Sequence, residues 1–127
     1  MAILSPNLDV EYFVGSFGAG LDHPECIACG PDHFAYAGGE AGQIYRIDTE
    51  DRSFEEYANT GGHFVGGIAV DAESNVYACS GGEVKRVTPD GGITTYFTGS
   101  PDRQIKTPNY PVFDRAGNLY VSDSGDW

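Results

Sequence analysis

Two polar residues of this chain, Glu25 and Asn109, stand at matching places of an internal repeat. Three twelve-residue segments align without gaps, over residues 25–36, 66–77 and 109–120. Carboxylate and amide oxygens are ligands that hard divalent cations prefer. A fold that brings equivalent positions of the repeat together would therefore place Glu25 and Asn109 in one site for a cation or a polar ligand.

The spacing of the repeat indicates which fold would do so. The segments start 41 and 43 residues apart, and each contains a short apolar strand, a turn and a second strand that reaches a tyrosine. A period of about 40–45 residues built of short strands is typical of β-propeller blades. Because the innermost strands of a propeller converge on its axis, we expect Glu25 and Asn109 to begin two such strands.

Alternating apolar residues and enrichment in β-branched and aromatic residues predict eleven strands. A second match, of Ile44–Ile47 to Val84–Val87, gives each complete repeat four strands. Turns rich in Gly, Asp and Asn separate the strands, and an Asp is expected to cap the hairpins at 71–75 and 114–118. The predicted ranges are 10–15, 25–29, 34–37, 43–47, 54–58, 66–70, 76–79, 83–87, 93–97, 109–113 and 119–122.

These elements predict an all-β fold, a partial β-propeller of about two and a half four-stranded antiparallel blades. We expect an N-terminal closing strand within 1–22, blade 1 over 23–62, blade 2 over 63–105 and half of blade 3 over 106–127. Propellers have about four to eight blades, so this chain is either part of a longer gene product or is completed by a second chain, another copy or a different partner. Two copies would carry twice eleven strands, close to the roughly 24 of a six-bladed ring.

Charge and composition limit the classes of binding partner and the cellular location that we expect for this protein. The formal net charge is −12 at pH 7. An acidic protein repels phosphate backbones and anionic lipid, so neither nucleic acid nor a membrane surface is an expected partner. No apolar run approaches the ~20 residues of a membrane span. The first residues lack the basic and apolar regions of a signal peptide, so the cytoplasm is the expected location.

The three cysteines, Cys26, Cys29 and Cys79, are expected to be free thiols in that compartment. Cys26 and Cys29 resemble half of a metal-binding motif, but no second pair of Cys or His residues follows. Strand positions three apart also face opposite sides of a sheet. We therefore predict buried small residues rather than a chelating pair.

Two stretches of the chain resemble the regucalcin/gluconolactonase family. The first is His23-Pro-Glu25 with the strand, hairpin and aromatic-rich strand that follow it. The second is the stretch 107–123, which is similar to the family's internal Asn-Asp motif, although Tyr110 stands where the family frequently has Asp. The resemblance covers most of residues 8–126. It implies the N-terminal half of a six-bladed propeller that binds one divalent cation, calcium or zinc, and hydrolyses lactones or related esters.

The resemblance also implies roles for individual residues. Glu25 resembles the metal ligand of the first blade, and Asn109 resembles the asparagine of the third blade near metal and substrate. The family's other ligands, an Asn and an Asp that doubles as the base, come from later blades. Independently of the resemblance, His63 could serve as a further ligand, substrate contact or base because imidazole titrates near neutrality. From their loop positions, His23 and Asp123 are expected near the same mouth of the ring as substrate contacts.

The residues themselves leave simpler roles open. Glu25, His23 and His63 could be exposed loop residues, and Asn109 and Asp123 could cap turns. The expected function is accordingly a divalent-metal-dependent lactonase or esterase-like hydrolase with its site at the propeller axis. The alternative is a non-catalytic half-propeller that oligomerises and binds a small ligand or cation.

Overall fold

The computed structural model describes residues 12–15 and 20–126. All regular secondary structure within these residues is β-strand. None of the described residues forms a helix with the length and apolar character needed to cross a membrane. The strands are β1 (Ile27–Cys29), β2 (Phe34–Gly38), β3 (Gln43–Asp48), β4 (Phe54–Asn59), β5 (Val65–Val70), β6 (Val76–Ser80), β7 (Glu83–Val87), β8 (Ile93–Phe97), β9 (Gly99–Ser100), β10 (Arg103–Gln104), β11 (Pro108–Phe113) and β12 (Leu119–Asp123).

The strands form three stacked antiparallel units. Sheet 1 has the order β1-β2-β3-β4, sheet 2 has the order β5-β6-β7-β8, and sheet 3 consists of β11 and β12. β9 and β10 form a separate two-stranded hairpin. The first strands are neighbours, because β5 contacts both β1 and β11. The predicted all-β class and the four-stranded antiparallel sheets are confirmed.

Strand register confirms the repeat alignment residue by residue. Ile27 pairs with Ala37 in sheet 1, Ile68 with Ala78 in sheet 2, and Pro111 with Val121 in sheet 3. The tyrosines of the repeat also pair alike, since Tyr36, Tyr77 and Tyr120 face Ala28, Ala69 and Val112. Equivalent sequence positions therefore occupy equivalent places in the three sheets.

Two apolar clusters hold the stack together. Between sheets 1 and 2, the buried residues include Cys26, Tyr36, Ile44, Val65 and Ile68. Between sheets 2 and 3, the cluster contains Tyr77, Cys79 and Val84, with Phe113, Leu119 and Val121 packed against it. Burial of both faces of sheet 2 explains why β6 is buried along its whole length.

Sheets 2 and 3 approach so closely that Gly67 has no room for a side chain. A Cβ atom at this position would lie 2.6 Å from the carbonyl oxygen of Asn109 and 2.8 Å from Cδ of Pro111. Contacts below about 3 Å force neighbouring atoms to move, and here those atoms belong to backbone and a proline ring. Glycine at the third position of β5 therefore allows the close approach of the innermost strands β5 and β11.

The predicted Asp caps of two hairpins are confirmed. Asp71 Oδ1 accepts hydrogen bonds from the backbone N–H groups of Glu73 (3.0 Å) and Asn75 (2.8 Å). Asp114 Oδ1 accepts them from Ala116 (2.8 Å) and Asn118 (2.9 Å). These loops fix the turn between the first two strands of sheets 2 and 3.

The structure differs from the sequence-based expectations in several places. β1 begins at Ile27 rather than at Glu25, and the hairpin β9–β10 was not expected. Residues 12–15 form no strand, while residues 10 and 11 of the predicted first strand, and Trp127, lie outside the described residues. The three cysteines are free as expected, but Cys29 is exposed, so the prediction of burial was wrong for that residue.

Candidate functional site

The candidate site residues identified from the sequence all lie toward one end of the stack of sheets. In an antiparallel meander, the loop before the first strand and the turn after the second strand lie at the same end of the sheet. We call this the upper end. It carries His23 and Glu25 before β1, His63 before β5, and Asn109 near the start of β11, with Asp123 at the close of β12.

Glu25 is an exposed carboxylate two residues before β1. It lies at the margin of a cavity of about 510 Å³ between the outer face of sheet 1 and the N-terminal residues Val14 and Leu21. The side chain is thus accessible from solvent at the upper end.

Asn109 is exposed on β11 and has its amide group partly fixed. Its Nδ2 donates a hydrogen bond to Oγ of Ser124 at 3.2 Å. The residue also lines a cavity of about 250 Å³ between sheets 2 and 3, together with Phe64, Gly66 and Lys106. Since the amide nitrogen is the donor to Ser124, the acceptor oxygen Oδ1 is the atom that Asn109 offers to a cation.

Gly66 occupies the repeat position between Glu25 and Asn109. A Cβ atom there would lie 3.6 Å from Oδ1 of Asn109 and 3.1 Å from its carbonyl oxygen. Cε1 of Phe64 also lies 3.6 Å from this point, so Gly66 adds no side chain but the Phe64 ring adjoins its position. The three equivalent positions supply a carboxylate, a gap and an amide oxygen.

His63 is exposed beside the turn that follows β6. A Cβ atom at Gly81 would lie 2.9 Å from its Cδ2, so the imidazole rests on that turn. The carbonyl oxygen of His63 accepts hydrogen bonds from Ser80 Oγ (2.8 Å) and Thr60 Oγ1 (3.2 Å). The backbone of His63 is therefore anchored while its ring faces solvent.

Asp123 uses both carboxylate oxygens to hold the main chain. Oδ1 accepts the N–H groups of Thr107 (2.8 Å) and Gly125 (3.1 Å), and Oδ2 accepts that of Lys106 (3.2 Å). These backbone hydrogen bonds, that from Thr107 first, lower the pKa of the Asp123 carboxyl. The geometry makes Asp123 a clamp between the segment that enters β11 and the loop after β12.

His23 belongs to a group of possible metal ligands that the sequence did not single out. Its Nδ1 lies 3.2 Å from Asp22 Oδ1 and 2.9 Å from Glu40 Oε2. Ligand atoms of the three residues all lie within 4.8 Å of one another. Hydrogen bonds from His23 and then Gln43 lower the pKa of the Asp22 carboxyl, so Asp22 is negatively charged at neutral pH.

The backbone brings Asp22 and Glu40 together across 18 residues of sequence. The N–H group of Glu40, in the turn between β2 and β3, donates to the carbonyl oxygen of Asp22 at 3.2 Å. The signal in the sequence was the turn itself. A turn after the second strand must meet the loop before the first strand, and this turn carries a carboxylate.

A second such group lies at the opposite, lower end of sheet 1. His33 Nε2 is 3.3 Å from Asp48 Oδ2, and ligand atoms of these residues and Glu50 lie within 4.8 Å of one another. Backbone hydrogen bonds from Glu50 and Asp51, and the nearby His33, lower the pKa of the Asp48 carboxyl. Among the described residues, neither group of possible ligands includes Glu25.

Comparison with known proteins places the fold. No protein-family model matches the chain, and no curated protein matches it. A gluconolactonase of Xanthomonas campestris is 23% identical, with a TM-score of 0.70 over 83% of this chain and 36% of that one. Virginiamycin B lyase of Staphylococcus aureus is 21% identical, with a TM-score of 0.63 over 82% of this chain and 36% of the lyase. A protein of unknown function from Bacteroides thetaiotaomicron is 18% identical, with a TM-score of 0.62 over 79% and 30%.

These likenesses establish the class of the fold. The chain is all-β and folds as part of a β-propeller, with four-stranded antiparallel sheets as its blades. It spans about a third of the length of the solved structures that it matches. Because the sequence identities are below 25%, the similarity to the gluconolactonase shows a shared fold alone.

Proposed function

We propose that this chain forms part of a divalent-cation-dependent hydrolase of lactones or related esters, of the gluconolactonase type, with its site at the upper end near the propeller axis. The observation that carries the proposal is the arrangement of three neighbouring first strands. Glu25 precedes β1 and Asn109 lies on β11, at equivalent repeat positions on either side of β5, where Gly66 contributes no side chain. Similarity in fold to a gluconolactonase supports the reaction class.

The donor set fits a hard cation, calcium or zinc. Glu25 would supply a carboxylate, and Asn109 would supply the amide oxygen that its bond to Ser124 leaves available. When bound, such an ion polarises the lactone carbonyl and lowers the pKa of a coordinated water. The nearby acidic pair Asp22 and Glu40 adds negative potential at the same end.

The remaining upper-end residues have supporting roles in this proposal. His63, with its backbone anchored and its ring in solvent, would hydrogen-bond the substrate or accept a proton from water. His23 would contact the substrate from the loop before β1. Asp123 would act by holding the backbone of residues 106–107, and so the position of Asn109, rather than by touching the substrate.

The test is hydrolysis of a gluconolactone with and without added calcium or zinc, followed by acid release at constant pH. We expect cation-dependent turnover that falls at least about tenfold in Glu25→Gln, since a neutral amide cannot replace the charge. Glu73→Gln, which makes the same change in the lower-end hairpin of sheet 2, is the matched control and should leave turnover unchanged. Turnover that does not depend on the cation, or that persists in Glu25→Gln, contradicts the proposal.

A second candidate is a non-catalytic half-propeller that binds a small ligand or a cation. It rests on the same two donors, because Glu25 and Asn109 can bind a cation or a polar ligand without supplying a general base. Calorimetric titration with calcium or zinc separates the two. Binding that Glu25→Gln weakens, without lactone turnover in the wild type, supports the second candidate.

A further inference from the structure

One imidazole and two carboxylates meet at the lower end of sheet 1, at the opposite end of the sheet from the proposed hydrolase site. His33 directly precedes β2, Asp48 is the last residue of β3, and Glu50 lies in the turn between β3 and β4. One ligand atom from each residue lies within 4.8 Å of the other two. Imidazole nitrogen and carboxylate oxygen together form a ligand set of zinc and related transition-metal ions.

The backbone holds two of these residues beside each other. The N–H group of Thr49 donates to the carbonyl oxygen of His33 at 3.0 Å, which joins the residue before β2 to the residue after β3. Oδ1 of Asp48 accepts the N–H groups of Glu50 (2.8 Å) and Asp51 (3.2 Å). Oδ2 of Asp48 is thereby directed at Nε2 of His33, 3.3 Å away. The carboxylate is therefore oriented before any ion binds.

The separation of these two atoms suits a shared ion. Zinc–nitrogen and zinc–oxygen bonds of about 2.0–2.2 Å that meet at a tetrahedral angle of about 109° place the two ligand atoms about 3.4 Å apart. The observed 3.3 Å agrees with this value, whereas charge-assisted hydrogen bonds are shorter, at about 2.7–2.9 Å. In the group at the upper end, Nδ1 of His23 lies 2.9 Å from Oε2 of Glu40, which is a hydrogen-bond distance. We therefore favour the lower group.

The group is open to an ion from solvent. The side chains of His33 and Asp48 are 44% and 22% exposed, and Glu50 is exposed, so rotation of its side chain can bring the third ligand to the ion. The two carboxylates carry two negative charges beside a neutral imidazole. A divalent cation would neutralise them, and water can fill the fourth position.

Sheet 2 forms the equivalent turns without such a group. Ser74 and Thr88 stand at the repeat positions of His33 and Asp48. The turn after β7 still closes, because the N–H group of Thr88 donates to the carbonyl oxygen of Gly92 at 2.9 Å. An imidazole and a carboxylate at these two positions are therefore not needed to form the turns, and their presence in sheet 1 is not explained by turn formation.

We propose that His33, Asp48 and Glu50 bind a divalent transition-metal cation such as zinc, with water completing a four-coordinate shell. The bound ion joins the segment before β2 to the turn between β3 and β4, and so stabilises the lower end of sheet 1. This site shares no ligand with the proposed hydrolase site, and failure of lactone turnover would leave it intact.

The first test is a titration of the untagged, ¹⁵N-labelled chain with zinc chloride, followed by NMR of the histidine rings. The chain has three histidines, so each set of ring signals can be assigned from the spectrum of one His→Gln variant. We expect about one equivalent of zinc to shift the Nε2 signal of His33. Calcium should leave this signal unchanged, because calcium takes six to eight oxygen ligands.

The second test follows the same His33 signal in variants of the other two ligands. Asp48→Asn and Glu50→Gln should each weaken zinc binding at least about tenfold, because each removes an anionic ligand. Asp51→Asn is the matched control, since it removes the same charge from the same turn. The Asp51 carboxylate accepts the N–H group of Ser53 at 2.8 Å, so we expect its loss to change zinc affinity by less than about twofold.

The backbone amide spectrum of each variant checks its fold. Asparagine at position 48 keeps an oxygen that can accept the two N–H groups of the turn. The Glu50→Gln change lies on an exposed side chain, so it tests the site even if the position 48 variant fails to fold.

Three results would overturn the proposal. The first is a His33 signal that stays unchanged at about a tenfold molar excess of zinc. The second is an equal loss of affinity in Glu50→Gln and Asp51→Asn, which would show a general attraction of cations to an acidic chain. The third is an equal shift of the His33 signal by calcium, which would show that charge rather than ligand type governs binding.

Discussion

Replacing Ile68 with alanine tests the packing of sheet 1 against sheet 2. Ile68 is 2% exposed and lies in the cluster between the two sheets with Cys26 and Tyr36. The change removes three carbon atoms, and at about 0.8 kcal/mol for each buried methylene the loss of burial costs roughly 2 kcal/mol. The cavity left behind adds to this, so we expect the free energy of unfolding to fall by about 3–4 kcal/mol.

Ile93→Ala is the matched control. It removes the same atoms from the outer strand β8, where Ile93 is 39% exposed. Both substitutions change the intrinsic strand propensity by the same amount, so the difference between their losses of unfolding free energy reports the burial of the side chain. The control should cost about 1 kcal/mol, because part of the side chain is already in water and little cavity forms.

Equilibrium urea unfolding, followed by far-UV circular dichroism at one protein concentration, gives both values from the midpoint and slope. Domains of this kind are stable by about 5–15 kcal/mol, so a loss of this size leaves a measurable native baseline. Losses that agree within about 0.5 kcal/mol for the two variants would refute the burial of Ile68 between the sheets.

Three further outcomes are expected. Gly67→Ala should lower the free energy of unfolding by about 1–3 kcal/mol in the same urea assay, because a Cβ would press on the backbone of β11. Ser80→Ala should cost about 1–2 kcal/mol in that assay, because it removes the 2.7 Å partner of the buried Thr60 hydroxyl. Asn118→Ala should raise the pKa of Asp114 toward its ordinary value in a carboxyl NMR titration, because the side chain of Asn118 donates to that carboxylate at 2.9 Å. A carboxyl whose pKa is lowered in the folded state stabilises the fold at pH values above its ordinary pKa. This stabilisation is lost as the pH falls through the pKa of the folded state. The variant should therefore be less stable than the wild type at neutral pH and equally stable in acid.

The repeat made most of the fold predictable. Strands such as β7 and β8 had the predicted bounds, and others differed by one or two residues, because alternation and turn chemistry act locally. The hairpin β9–β10 was missed since two-residue strands around Pro101 and Asp102 carry no periodic signal. Exposure of Cys29 could not be read from its type, because it depends on whether another sheet covers that face.

The candidate site was predictable only in part. Glu25 and Asn109 came from the alignment, and in the structure Glu25 lies two residues before β1 whereas Asn109 lies on β11, on either side of β5. Whether they bind a cation remains a prediction, as do the contacts assigned to His63 and His23. The pairing of His23 with Glu40 follows from the meeting of two loops at one end of the sheet, which the strand order implies but the residues of either loop alone do not.

Each of the two buried thiols lies in a different interface between sheets, so its reactivity reports on the opening of that interface. Cys26 lies between sheets 1 and 2, and Cys79 lies between sheets 2 and 3. Burial raises the pKa of both thiols, that of Cys79 to about 12, and the thiolate is the reactive form, so each thiol reacts only when its own interface opens. Equal rates of modification would mean that the three sheets separate as one cooperative unit. A faster rate at one thiol would instead show that its interface opens at a lower free-energy cost than the other. The difference between the two rates would measure how strongly the stability of one blade depends on its neighbour.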